Sequence, residues 1–381
     1  SLIPLWQNGS KLKVVCNAGG LNPKGCAEAC ARALKEAGLA GIKIGVVFGD
    51  DVLPQIKSSP NEFLNMESKE NATPLLDRMI TANAYLGAQS LVEALNQGAQ
   101  IVITGRVADP SLTVAPCVAE FGWRWNDYDK IAAATIAGHV IECGTQATGG
   151  FSTHWMDLPD PATIGFPVVE VQSDGTFVVT KPAGTGGAVT VETVKEQLLY
   201  EIGDPDNYLS PDVTASFLSL SLEQKGINRI AIAGAKGKAP PKTYKVSATY
   251  RDGFRADAML AVYGLDAAAK ARRAGEVILA HVAERGYSLE RTSIECLGAG
   301  EIVPGVRSSS PIEVVLRVAV ADPRREAVEC FTKEIAPLIT CGPQGITGYT
   351  AGRPKVRPIF SYWPTLIDVA SVDPIVEVIT T

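Results

Sequence analysis

The chain has 381 residues, 46% of them hydrophobic and 20% charged, with a net charge of −6. That length exceeds one ordinary core and predicts two domains. The mild acidity without a Lys/Arg cluster argues against a nucleic-acid partner, and no apolar run approaches the ~20 residues that span a bilayer. The eight cysteines are scattered with no Cys-x-x-Cys pair. They read as reduced core thiols of a cytoplasmic protein; Cys26 and Cys30, one helical turn apart with no His beside them, read as packing. The sequence begins at Ser1 and not Met, so a removed targeting segment and organellar import stay compatible with it.

Residues 11–16 read as a short buried strand ending at Asn17. Pro23 suits the first turn of a helix that stops near Gly38. Residues 42–48 form a second strand, ending at Gly49-Asp50-Asp51. The recurrence of Leu75, Leu76, Met79, Ile80, Leu86 and Leu91 predicts a long amphipathic helix over 73–96, followed by a strand over 100–104. Strands alternating with helices predict a parallel, doubly wound sheet. A small-residue helix follows over 129–141, then a hairpin of 166–171 with 176–180 around Ser173-Asp-Gly175, then a helix over 191–202. The second half predicts strands at 242–250 and 257–263, a helix at 266–285, strands at 292–297 and 312–320, a helix at 324–339 and a last strand at 357–362. This β-α-β-β-α-β order resembles a ferredoxin-like unit. The expected organisation is an α/β domain over 1–212 carrying the glycine-rich turns and a ferredoxin-like α+β domain over 213–381. The basic stretch 236–242 reads as an exposed loop and a candidate junction.

Three glycine-rich turns stand out: Asn17-Ala-Gly-Gly-Leu-Asn22, Glu142-Cys-Gly-Thr-Gln-Ala-Thr-Gly-Gly150 and Lys181-Pro-Ala-Gly-Thr-Gly-Gly187. Glycine allows positive φ and close approach of a ligand to backbone N–H groups. A fourth segment, Gly105-Arg-Val-Ala-Asp109-Pro110, follows the apolar strand at 100–104, where open α/β sheets place ligands. Together with Gly49-Asp-Asp51, Gly165-Phe-Pro167 and Lys195-Glu-Gln-Leu-Leu-Tyr-Glu201, in this order over about residues 12–360, these motifs resemble the acyclic terpene utilisation (AtuA) family. The resemblance implies a role in bacterial breakdown of acyclic terpenes such as citronellol and geraniol, through branched acyl-CoA esters. It brings no agreed catalytic set, so the candidate residues follow from their chemistry.

Asp50 and Asp51 end a strand and point to opposite sides, so one is expected to face a cleft as base or metal ligand and the other to cap the next helix. Arg106 could clamp a carboxylate or phosphate, with Asp109 as base; a plain Arg106–Asp109 salt bridge, or capping of a helix starting at Ser111, is the competing account. Glu142 is a candidate general acid or base, Gln146 a substrate contact, and Cys143 a thiol nucleophile. Asn17, Gly19 and Gly20 would contact substrate. Lys181, Gly184, Thr185, Gly186 and Gly187 resemble a phosphate cradle, although neither a P-loop nor a dinucleotide fingerprint is present. His139, three residues before Glu142 on one helical face, and His154 are candidate acid–base groups; His281 reads as structural. The expected function is an enzyme acting on a small branched acid, acyl-CoA thioester or related alcohol by hydration, dehydration or isomerisation. A ligand-binding scaffold and a Cys143 thiol hydrolase are the alternatives. No cofactor is required, a CoA ester or divalent metal would be compatible, and the cluster Phe360-Ser-Tyr-Trp-Pro364 predicts a homo-oligomer.

Overall fold

Asn22 and Pro23 start the first long helix, Pro23–Glu36: the Asn22 side chain accepts from the Gly25 N–H, and proline occupies a position with no N–H to lose. Ala27, Ala31 and Leu34 recur on its buried face. The computed structural model describes residues 2–303, 305–306, 311–348 and 352–381. It is a mixed α/β structure with several sheets, divided into two units. The first comprises Ser1–Pro74, Thr81–Ala248 and Pro364–Thr381, the second Leu75–Ile80 and Thr249–Trp363.

In the first unit, strands Val14–Cys16, Ile101–Thr104 and Lys43–Phe48 lie side by side in that order, all parallel. Strand Ile375–Thr380 closes the far edge, antiparallel to Lys43–Phe48. The helix Pro23–Glu36 covers one face, packing Ala27, Ala31 and Leu34 on Ile44, Val46, Ile101 and Ile103. The helix Gln89–Asn96 lies on the other, so close that a Cβ on Gly45 would meet the Ala94 methyl at 2.7 Å. Burial on both faces explains why these strands read as unbroken apolar runs. A second sheet contains the expected hairpin, Val168–Val171 with Phe177–Thr180. The helix Tyr128–Glu142 is buried all round from Ile131 to Val140, and Gly138 lets it approach the start of the helix Ser111–Phe121: a Cβ there would sit 2.7 Å from the Pro110 Cα.

The second unit is built on the strand Thr243–Tyr263, which the chain enters from the first unit at 248/249. Its sheet runs Arg291–Leu297, Glu313–Asp322, Thr243–Tyr263, Ile346–Gly348, each antiparallel to the next. The helices Ala267–Glu284 and Arg325–Lys333 bury Ala271, Ile278, Val328 and Phe331 against Leu260, Leu316 and Val318.

Several expectations of local structure need correction. Residues 73–96 are not one helix but a short 3-10 turn, Thr73–Arg78, a strand, Met79–Ala84, and the helix Gln89–Asn96. The leucines that suggest one helical period belong to different elements, and Ile80-Thr81 favours extended chain. The strands expected at 242–250 and 257–263 are one, Thr243–Tyr263, continuous through Gly253 at φ 82°. The helix expected over 324–339 ends at Lys333 and resumes only at Leu338, after Pro337. Lys236–Lys238 is not loop but pairs with Thr214–Ser216 in the first unit. In the aromatic cluster near the C-terminus Trp363 is buried, whereas Phe360 and Tyr362 are exposed.

Candidate functional site

Three parallel strands of the first unit end in polar residues. Asn17 follows Val14–Cys16, Gly49-Asp50 follows Lys43–Phe48, and Gly105-Arg106 follows Ile101–Thr104. The buried Asp50 carboxylate ties two of these segments: its Oδ2 accepts from the Arg106 N–H at 2.9 Å and from Asn83 Nδ2 at 2.8 Å. Any side chain at 105 would collide with that carboxylate, which is why glycine stands there. Asp51, on the opposite side, accepts from the Leu53 N–H at the start of the next helix. A cavity of about 270 Å³ opens here, lined by Asn17, Gly20, Thr81, Asn83, Gly105 and Arg106 among others.

Asp109 stands at the rim. Its Oδ1 accepts from Asn17 Nδ2 at 3.0 Å and lies 3.9 Å from the Arg106 guanidinium. That guanidinium also sits over the Tyr85 ring, 4.8 Å from its centroid. No side chain caps the helix beginning at Ser111, so Asp109 is not a cap.

The last turn of the helix Tyr128–Glu142 carries a buried histidine, His139, beside Glu142. His139 Nε2 lies 2.9 Å from the Gln197 carbonyl oxygen, which can only accept, so Nε2 holds a proton. Nδ1 lies 2.9 Å from Glu142 Oε1. A hydrogen bond there needs a second proton, on the imidazole or on the carboxyl. The Gln197 amide donates to the His139 carbonyl at 2.7 Å, fixing the arrangement from the helix Val191–Leu199. Glu142 Oε2, Gln146 Nε2 and Gln197 Oε1 are buried without a hydrogen-bond partner. Each such atom costs about 1–3 kcal/mol unless a ligand or water meets it.

Burial pushes the Cys143 thiol up; a hydrogen bond with Gln197 opposes this, and the charges of Glu142, Glu201 and Asp109 add to it. Burial likewise pushes the Tyr208 hydroxyl up, aided by Glu142 and Asp109. Tyr208 therefore stays protonated and can donate, and Asp109 and Glu142 act on one neighbourhood.

The third glycine turn serves a different end. Lys181 Nζ donates to the Thr185 carbonyl, and the Gly186 and Gly187 N–H groups donate to Thr163 and Pro159. Its next residue, Ala188, donates to Thr148 of the second turn, so this turn buttresses the second. Gly184 is at φ 75°. Gly19 donates to the Thr104 carbonyl and a Cβ there would strike Pro23, so it packs the first turn. His154 is exposed, 3.9 Å from Asp157. Among the described residues no group of three or more His, Cys, Asp or Glu side chains is placed to hold a metal ion, and no helix is long and apolar enough to cross a membrane. A larger cavity, about 550 Å³, lies in the second unit between Leu260, Ile335 and Ile339; Asp257, Arg353, Lys355 and Arg357 also line it, and among the described residues no histidine or cysteine does.

Sequence reasoning missed Asn83, Tyr85, Gln197 and Tyr208. Gln197 lay inside the motif 195–201; Asn83 and Tyr85 were hidden by the mistaken long helix.

Parallel strands ending in a polar cluster make this a mixed α/β protein with its candidate site at the strand ends, where open α/β sheets place ligands. The family model described as acyclic terpene utilisation family protein AtuA matches residues 2–378, and the chain belongs to that family. No curated protein and no solved structure matches it.

Proposed function

We propose that the protein is an acid–base enzyme acting on a small branched acid, its acyl-CoA thioester or a related alcohol, by hydration, dehydration or isomerisation. The observation that carries this reading is the His139–Glu142 pair, hydrogen-bonded at 2.9 Å with a second Glu142 oxygen buried and unpartnered. Asp109, exposed and oriented by Asn17 and Arg106, takes the proton from the substrate carbon or from water; the His139–Glu142 pair returns one to the neighbouring carbon in hydration, to the leaving oxygen in dehydration, or to the far carbon of the allylic system in isomerisation. Arg106 and Tyr208 bind the carboxyl or thioester oxygen, and Asp50 is a positioning residue that fixes the Arg106 backbone. The family's acyclic terpene role supports a branched substrate. Cys143 is disfavoured as a nucleophile: burial raises its pKa, and both nitrogens of His139 are engaged elsewhere.

The same proposal reads the first sheet as doubly wound, supported by helices on both faces, and the second unit as ferredoxin-like, supported by its β-α-β-β-α-β order and antiparallel sheet. It includes self-association, for which the exposed Phe360 and Tyr362 rings are the candidates.

The test is turnover of a branched 2-enoyl-CoA by Asp109→Asn and Glu142→Gln. Each should fall by about 10²–10⁴-fold with melting temperature retained. If both variants keep the wild-type rate, the scaffold reading replaces the catalytic one.

A further inference from the structure

The first unit contains a second cavity that the acid–base groups do not use. It has a volume of about 460 Å³ and is mainly apolar, with walls from Val15, Leu112, Thr113, Pro116, Ile141 and Val169 among others; Lys13 and Glu120 are its charged lining residues. That volume lies within the range of small-molecule pockets. Each wall continues an element that carries a site residue. Val15 precedes Asn17 by two residues, and because Val14 and Cys16 pack under the helix Pro23–Glu36, Val15 and Asn17 share the opposite face. Leu112 lies one helical turn beyond Asp109. Ile141 adjoins Glu142. Three lining residues thus stand next in sequence to the polar cluster on separate elements, and the groove follows the helix Ser111–Phe121 from Leu112 to Phe121, about 14 Å at 1.5 Å per residue. It lies between two strands, Val14–Cys16 and Val168–Val171, each at the end of its sheet order.

We propose that this groove receives the hydrocarbon chain of an anionic amphiphile whose carboxyl or thioester head reaches Arg106. This rests on the reading of Asp109 and Glu142 as the site, and adds where the substrate's chain lies and that chain length determines affinity. Three observations select this occupant: the mainly apolar lining, the place of three lining residues next in sequence to site residues on separate elements, and the Arg106 cation within that cluster.

The experiment titrates hexanoate, octanoate and decanoate into the full chain by calorimetry. Affinity should rise by about fourfold per added methylene, the worth of a buried CH₂, until the groove is full. Thr113→Trp, and independently Val169→Trp on the other wall, should weaken decanoate at least tenfold and flatten the chain-length dependence, with melting temperature retained in at least one. No chain-length dependence in the wild type, or an unchanged one in whichever tryptophan variants fold, overturns the proposal. So does a wild-type dimer that the tryptophan variants convert to monomer without any acid binding, which would make the groove a contact between two copies. Asp109→Asn and Glu142→Gln, titrated alongside, should keep the dependence. If they do so and also retain turnover, the acid–base reading falls while the groove stands.

Discussion

Asp212 offers a sharp test of the buried electrostatics. It accepts from Ser111 Oγ at 2.5 Å and from the Ala88 N–H at 2.7 Å, holding the starts of two helices of the first unit. Burial is the dominant influence and raises its pKa from 3.8 to about 6; the two hydrogen bonds oppose that rise without cancelling it. The folded state thus holds this proton more tightly than the unfolded chain. The associated stability is complete below about pH 3.8 and is lost as pH rises through about 6, for a total of about 3 kcal/mol. About 1.5 kcal/mol of that loss falls between pH 5 and pH 8. Asp212→Asn removes the titration. Its amide oxygen can still accept from Ala88, and its amide nitrogen can donate to Ser111 Oγ. Urea denaturation followed by tryptophan fluorescence, with Trp123 buried in the first unit, should show the variant gaining on the wild type by about 1.5 kcal/mol as pH goes from 5 to 8. A difference that stays constant with pH, or that shrinks as pH rises, would refute the reasoning.

Gly138→Ala should cost about 1–3 kcal/mol, because the new methyl meets backbone atoms of Pro110 and not a side chain that can turn aside. Since Pro110 follows Asp109, turnover should also drop at least about tenfold; wild-type melting and kcat together would show that the two helices have slack. Asp322 lies well below its ordinary pKa, at about 2, chiefly through its hydrogen bonds with the Arg324 side chain, helped by N–H groups of Arg324 and Glu290. Its contribution is present above about pH 3.8 and lost as pH falls through about 2. Asp322→Asn should therefore destabilise the second unit by about 1–2 kcal/mol at pH 7, discounted for the half-exposed guanidinium. The deficit should disappear towards pH 2, and a pH-independent deficit in chemical denaturation would contradict the assignment.

What could be read from the sequence was local. Asn22-Pro23 and the apolar run at 42–48 announce their elements because caps and burial act within a few residues. Glu142 and His139 were legible as a pair because three residues make one helical turn. The partnership of Asp50 with Asn83 was not, because it joins separate elements and Asn83 sat within a misassigned helix. The third glycine turn looks like an anion cradle in isolation; only the tertiary structure reveals that its Gly186 and Gly187 N–H groups and Lys181 bond to the protein itself. Asp212 carries no signal in the sequence, because the Ser111 and Ala88 groups that bury it come from far earlier in the chain.

The strand Ile375–Thr380 sets the order in which this protein can mature on the ribosome. Its partner, Lys43–Phe48, is synthesised about 330 residues earlier, so the pair can form only after that long delay. At usual elongation rates that delay is on the order of tens of seconds. Until then the nascent sheet presents an open apolar edge at Val46 and Val47, a template for pairing with other chains. The second unit, formed mainly from 249–363, emerges complete before that edge is sealed. Chaperone dependence should therefore concentrate in the interval between the two strands, and a chain cut short before Ile375 should aggregate even though every residue of the candidate site has already been made.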